Sequence, residues 1–251
     1  MQWKHALVST AKSKTIDKWF ECIMELEKER ALEILRLLKK EYPAVCRSLD
    51  HSSPFKLLIS TILSAQSTDV TINNLTSRLF KKYKSFADFA NAPLEELQQD
   101  IKSSGFYRNK AKNIKRTSQI IIEQFSGELP QKMEELIQLP GVGRKTANIV
   151  LSTAYGIIEG IAVDTHVKRV SNRLGLTNSS NQNKIEHDLM MLFPQKQWDN
   201  ISLLLVRHGK TVCAARNHRC STCVINHLCP LFFSLIEGGW LDFRASKRRY
   251  C

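Results

Sequence analysis

The chain has 251 residues, of which 43% are apolar and 24% charged. That balance suits a globular protein and excludes a disordered one. Lysine and arginine number 37 against 24 acids, a net charge of +13, which points to a polyanionic partner and to nucleic acid first. No apolar run approaches the roughly 18–20 residues of a membrane span, so we expect no membrane partner.

Taken in chain order, the first 16 residues contain three lysines and no acid. They read as a short basic tail, with an organelle transit peptide as the second reading. From Glu29 a helical period appears at Ala31, Ile34, Leu35 and Leu38, stopped by Pro43. Ser53-Pro54 opens a buried helix carrying Phe55, Leu58, Ile62 and Leu63. Leu94, Leu97 and Ile101 predict another, closed by Gly105. Ala111, Ile114, Ile121 and Ile122 predict a further one, ending near Gly127 and Pro130. Met133, Leu136 and Ile137 form a short helix running into Pro140. Ala147, Val150, Leu151 and Ala154 then carry the period to Gly156. Val167, Val170 and Leu174 follow, with Gly175 at the end; next come Ile185, Leu189 and Leu192, stopped by Pro194. Trp198, Ile201, Leu205 and His208 make the last, stopped by Gly209. Alternating patterns are scarce, so the fold class is all-α, with nine or ten helices.

Residues 133–156 read helix, hairpin, helix, and the turn is LPGVGRKTAN. Gly141 and Gly143 allow a sharp turn and a close approach by another surface. The exposed N–H groups there and in the first turn of the next helix make an anion cradle suited to a DNA phosphate. A nucleotide P-loop is excluded, because Arg144 separates Gly143 from Lys145 and no strand precedes the turn. Two cations at a helix start are electrostatically unwelcome, so Arg144 and Lys145 need a reason. A free lysine has a pKa of about 10.4, leaving on the order of one part in a thousand or less neutral at pH 7. The helix dipole, Arg144 and any burial would all favour proton loss, which makes Lys145 a candidate nucleophile. Simple pairing of Lys145 with a phosphate is the plainer alternative.

Seven cysteines occur, and Cys213, Cys220, Cys223 and Cys229 fall within one C-x6-C-x2-C-x5-C stretch. Cys22, Cys46 and Cys251 are scattered and read as ordinary. An odd count argues against a disulfide framework and for a metal site. Zinc ribbons usually show two C-x2-C knuckles, and only one is present. Four compact thiolates suit a cubane iron–sulfur cluster ahead of zinc. Arg216, His218 and Arg219 fill the six-residue gap, so a metal-pinned loop would dock a second phosphate.

Together, LPGVGRKTAN, AVDTHVKRVSNRLGL, SSPFKLLISTILSAQSTDV and the cysteine loop resemble the endonuclease III family of DNA glycosylases, in the family's order and over roughly residues 29–230. The resemblance implies a two-lobed helix-hairpin-helix fold. A six-helix barrel would span residues 49–157, with the hairpin at about 131–156, and a cluster lobe would join 29–48 to 158–230. A basic extension (1–28) and a basic tail (231–251, with RASKRRYC) would lie outside that core. Lys145 matches the Schiff-base nucleophile and Asp164 the catalytic carboxylate, the two facing each other across the cleft. An N-cap role for Asp164, at a helix starting near Thr165, is the structural alternative. The four cysteines match the ligands of one 4Fe-4S cluster, which in the family does not cut the glycosidic bond.

A base inside the stack is out of reach, so the nucleotide must be flipped out. Gln66 matches the residue inserted into the duplex, and Phe106 stands where the family carries an apolar wedge, often Leu. Leu139, Gly141, Gly143, Arg144 and Thr146 of the hairpin, with Arg216 and Arg219, are the expected remaining DNA contacts; Asp69 and His166 are assigned to the pocket. The implied activity is a bifunctional glycosylase and abasic-site lyase removing oxidised pyrimidines from duplex DNA. We expect a monomer inside the cell, in the cytoplasm or nucleoid of a prokaryote, with an organelle or nucleus as alternatives. Two rivals are a monofunctional mismatch glycosylase of the same fold and a noncatalytic redox-sensing DNA-binding protein. Lys145 argues against the first, and the pairing of Lys145 with Asp164 against the second.

Overall fold

The computed structural model describes residues 3–50 and 52–236. RASKRRYC, and with it most of the basic tail, lies outside the described residues. Among those described, all regular structure is helical and no strand occurs. The first helix, α1, runs Trp3–Glu41, much longer than a start at Glu29 predicts. No Gly or Pro occurs before Pro43, so nothing in the chain breaks the helix earlier. No helix among the described residues is long and apolar enough to cross a membrane. Of the scattered cysteines, Cys46 is a free exposed thiol. Cys22 is disulfide-bonded, against the expectation that it is ordinary, and Cys251 lies outside the described residues.

Two compact units divide the chain: residues 46–162, and residues 1–45 with 163–251. The 46–162 unit contains α2 (Pro54–Ser64), α3 (Asp69–Lys82), α4 (Phe86–Asn91), α5 (Leu94–Asp100), α6 (Tyr107–Phe125), α7 (Met133–Leu136) and α8 (Arg144–Tyr155). Local chemistry sets several starts. Ser53 caps α2 by accepting the Lys56 N–H, with Pro54 at the first position, where its missing donor costs nothing. Thr68 caps α3, and Ser85 with Asp88 forms a capping box on α4. Leu58, Leu63, Ile72, Phe89, Leu97, Ile114, Ile121, Leu136, Val150 and Leu151 are fully or almost fully buried in one core. Each such side chain contributes about 1.5–3 kcal/mol of burial.

The second unit holds α1, α9 (Thr165–Arg173), α10 (Gln182–Leu192), α11 (Trp198–Thr211) and α12 (Pro230–Ile236). Here α1 packs on α10 and α11, and α9 packs on α11. Gly209 does not stop α11, which continues to Thr211. A Cβ at Gly209 would lie 3.0 Å from Arg169 Nη2 and 3.1 Å from both His166 Cβ and Val170 Cγ2. The glycine therefore serves close approach of α9 and α11 rather than helix termination. Arg30 of α1 donates to Leu174 O at 2.8 Å and Leu228 O at 3.1 Å, tying the first helix to the end of α9 and to the cysteine loop.

Candidate active site and nucleic-acid interface

In the 46–162 unit, a turn links α7 to α8. Val142 N–H donates to Leu139 O at 3.0 Å, and Thr117 Oγ1 donates to Pro140 O at 2.8 Å, pinning the turn to α6. Leu139 and Val142 are 2% and 5% exposed. The Leu139 side chain thus belongs to the core and anchors the turn from beneath, so it offers DNA no side-chain surface. Gly141 has φ +82, a left-handed conformation that calls for glycine, and a Cβ there would meet Asn113 Nδ2 at 3.0 Å, so that side chain would have to give way. Gly143 differs. Its backbone is extended, with φ −94 and ψ 174, and the space around it is open. The turn therefore requires only one of the two glycines.

Gly143 is the N-cap of α8 and brings no capping side chain. The first helical bond runs from Ala147 N–H to Gly143 O at 3.0 Å. The N–H groups of Lys145 and Thr146 therefore lie outside the ladder, where an anion can take them. Arg144 and Lys145 are exposed and Thr146 is half-buried. Within its unit Lys145 is exposed, so the burial that the sequence reading added to the helix dipole and Arg144 is not present there.

Two loops of the same unit carry Gln66 and Phe106. Gln66 is exposed with φ +56, and Phe106 has φ +49 and is 67% exposed. Left-handed backbone at non-glycine residues is uncommon and mildly costly, so both side chains are held outward by their surroundings. Asp69 opens α3 and accepts the Ser48 hydroxyl at 2.6 Å. One residue that sequence reasoning missed sits beneath these loops. Lys110, in α6, is only 6% exposed. Its signal is positional: it lies on the stripe of Ile114, Thr117 and Ile121 that faces the core.

In the other unit, Asp164 is the N-cap of α9, and its Oδ1 accepts the Val167 N–H at 2.8 Å. The capping alternative is therefore realised in the structure, and one carboxylate oxygen remains for other work. His166 turns toward α11: its Nδ1 lies 3.2 Å from Arg169 Nη2, and Arg169 also donates to Gly209 O. That environment is a helix–helix contact.

Cys213, Cys220, Cys223 and Cys229 line one pocket together with Arg173, His208 and Arg219. Burial raises the Cys220 and Cys229 thiols and pushes Cys223 up to about 11. Arg173 Nη1 donates to Cys213 Sγ at 3.3 Å. His208 is 2% exposed and burial lowers it to about 4, so it is a neutral imidazole beside Tyr42. Arg216 is exposed, whereas Arg219 is exposed but donates back to Thr211 O. Among the described residues, no three His, Cys, Asp or Glu side chains are disposed to hold a single metal ion. The thiols instead surround a pocket.

Comparison with known proteins decides the family. Residues 59–195 match the model of the HhH-GPD superfamily base excision DNA repair proteins. An endonuclease III of a Synechocystis species is 52% identical over 82% of this chain and 94% of its own length. The chain belongs to the endonuclease III family. A solved structure of a trapped endonuclease III–DNA covalent intermediate is 42% identical, with a TM-score of 0.80 over 83% of this chain and 98% of that one. A thermostable thymine-DNA glycosylase shares the fold alone, at 24% identity and a TM-score of 0.74 over 81% of this chain and 97% of that one. The superfamily match takes in Gln66, Phe106, the hairpin, Lys145 and Asp164. It ends before the four cysteines.

Proposed function

We propose that this chain is a bifunctional DNA glycosylase and abasic-site lyase of base excision repair, acting on oxidised pyrimidines in duplex DNA. The observation that carries the reading is Lys145: a solvent-exposed amine in the first turn of α8, in a chain 42% identical to an endonuclease III trapped covalently on DNA. The neutral amine attacks the sugar C1′, and the bond from C1′ to the base breaks with its electron pair leaving on the base. Ring opening gives the imine. Loss of a C2′ proton then expels the 3′ phosphate oxygen, and the strand breaks 3′ to the lesion. Asp164 supplies a carboxylate that stabilises positive charge on the sugar and exchanges protons with the amine.

Gln66 fills the gap left by the flipped nucleotide, and Phe106 is the apolar wedge. The hairpin amides with Arg144 and Thr146, and Arg216 with Arg219, hold the phosphates. Asp69 and His166 are the weaker pocket assignments, since each is engaged by a neighbour. The four cysteines hold one 4Fe-4S cluster. The four thiols line one pocket, and a compact set of four thiolates suits a multi-atom iron–sulfur centre. When bound, the cluster supplies a redox-capable centre that pins the cationic loop. Two lobes are assigned, a six-helix barrel and a cluster lobe, in a monomer that acts inside the cell.

Borohydride reduction of the protein with abasic duplex DNA tests the reading. A covalent adduct that disappears in Lys145→Ala is the expected result. Base release without an adduct assigns the monofunctional chemistry, and tight binding with neither leaves a DNA-binding protein.

A further inference from the structure

The loops that carry Gln66 and Phe106 are tied together by one buried amine. Lys110 Nζ donates to Leu63 O at 2.8 Å, to Ser104 O at 2.7 Å and to Ser67 Oγ at 3.4 Å. The Ser67 hydroxyl in turn donates to Ser104 O. Leu63 and Ser67 bracket the segment with Gln66, and Ser104 lies two residues before Phe106. An ammonium has three donors, and each is matched here by an acceptor without charge. This is no ion pair. Burying a lysine without a counter-ion is costly, and burial alone lowers this one to about 8. A methionine would fill the same space without that cost. What it would not do is join two separate stretches of backbone.

Those stretches need joining, since both display side chains on left-handed backbone, Gln66 at φ +56 and Phe106 at φ +49. Neither conformation is favoured by its own residue type. Resting on the function proposed above, we propose that Lys110 is a positioning residue: its ammonium locks the Gln66 loop to the Phe106 loop so that both side chains enter the duplex as one rigid unit. Lys110 itself touches neither the sugar nor the base. Preorganisation of this kind lowers the ordering cost of insertion.

The test compares the full chain with Lys110→Met and Ser67→Ala on two substrates. One is a duplex whose abasic site faces 2-aminopurine, a fluorescent base; the other is the single strand with the same abasic site. Only the duplex requires insertion. Lys110→Met should trap on the single strand like the unmodified protein, yet lose about tenfold on the duplex, as expected for removing a charged hydrogen-bonded group. The fluorescence change of the facing base should be lost with it. Ser67→Ala should show the same pattern more weakly, and it decides the matter if Lys110→Met fails to fold. Equal loss on both substrates, or no loss on either, overturns the proposal. If the unmodified protein forms no adduct at all, the lyase reading fails separately, and the fluorescence change on duplex binding still reports on the clamp.

Discussion

Asp164 Oδ1 accepts the N–H of Val167 at 2.8 Å, so the carboxylate assigned to chemistry also closes the start of α9. The two roles separate by substitution. Asparagine caps a helix as well as aspartate does, so Asp164→Asn keeps the cap and removes the charge. We expect its thermal unfolding and DNA affinity to match the unmodified protein while single-turnover base release falls by a factor on the order of 100 or more. Asp164→Ala should lose about 1 kcal/mol of stability in addition. Unchanged turnover in Asp164→Asn removes the residue from the mechanism.

Gly209 makes a second prediction. In an unconstrained helix, Gly→Ala stabilises by about 1 kcal/mol. Here the new methyl group would press on His166 Cβ and Val170 Cγ2, both at 3.1 Å. Those atoms sit close to the α9 backbone and cannot swing aside, so α9 must shift, at an overpacking cost of about 1–3 kcal/mol. A net loss is expected, lowering Tm by about 2–4 °C. A higher Tm in Gly209→Ala would show that α9 can move without penalty.

The same residue shows where sequence reading stops. Gly209 follows a run of apolar periodicity and looks like a stop, yet its reason lies in another helix. The apolar stripes of α2, α6, α8, α10 and α11 were legible because each repeats over three or more turns. By contrast, α3 contains Asn73, Asn74 and Thr76, and only Ile72, Leu75 and Leu79 mark its buried face among apolar residues. The six residues of α4 are too few for any period. Lys145 and Asp164 are legible as candidates because each lies in a local motif. Lys110 is not, since a lysine reads as surface until its acceptors, 6, 43 and 47 residues away, are brought to it by folding.

Lys110 also sets a pH trend in stability. Its folded value is about 8 against the ordinary 10.5, while none of its three acceptors titrates. Between those values the unfolded chain binds more protons than the folded one, so raising the pH favours folding. The penalty for the buried ammonium is fully present below pH 8 and fades toward pH 10.5. The stability of the unmodified protein relative to Lys110→Met should therefore climb across this window, by on the order of 1–3 kcal/mol. Urea unfolding at pH 8, 9 and 10 measures it, and a flat difference shows that the three acceptors fully offset the desolvation.

Metal content gives a direct reading of the cysteine pocket. Purified without air, the chain should be brown and carry about four irons and four sulfides. Cys223→Ser should lower that content and loosen the cationic loop, because a cluster held by all four cysteines would fasten residues 213–229 around the pocket that they line. Metal binding to such a site is also folding energy, so stripping the cluster should lower Tm. A colourless protein with one zinc per chain excludes the assignment.

The open space at Gly143 permits a substitution that sets helix stability against DNA binding. Gly143 caps α8 without a side chain, in extended backbone that any residue adopts. Aspartate fits there and is a better N-cap by a few tenths of a kcal/mol, with a further gain from its charge at the positive end of the helix. If the amides of the first turn serve only the fold, Gly143→Asp should be a neutral or improved protein in every assay. If they cradle a phosphate, the new carboxylate claims the same N–H groups and repels the DNA at the same point. We expect Tm to hold or rise while duplex affinity falls by about tenfold or more, with a smaller slope of log affinity against log salt as one phosphate contact is lost. Retained affinity at raised Tm would place the DNA backbone elsewhere and leave the hairpin a purely structural turn.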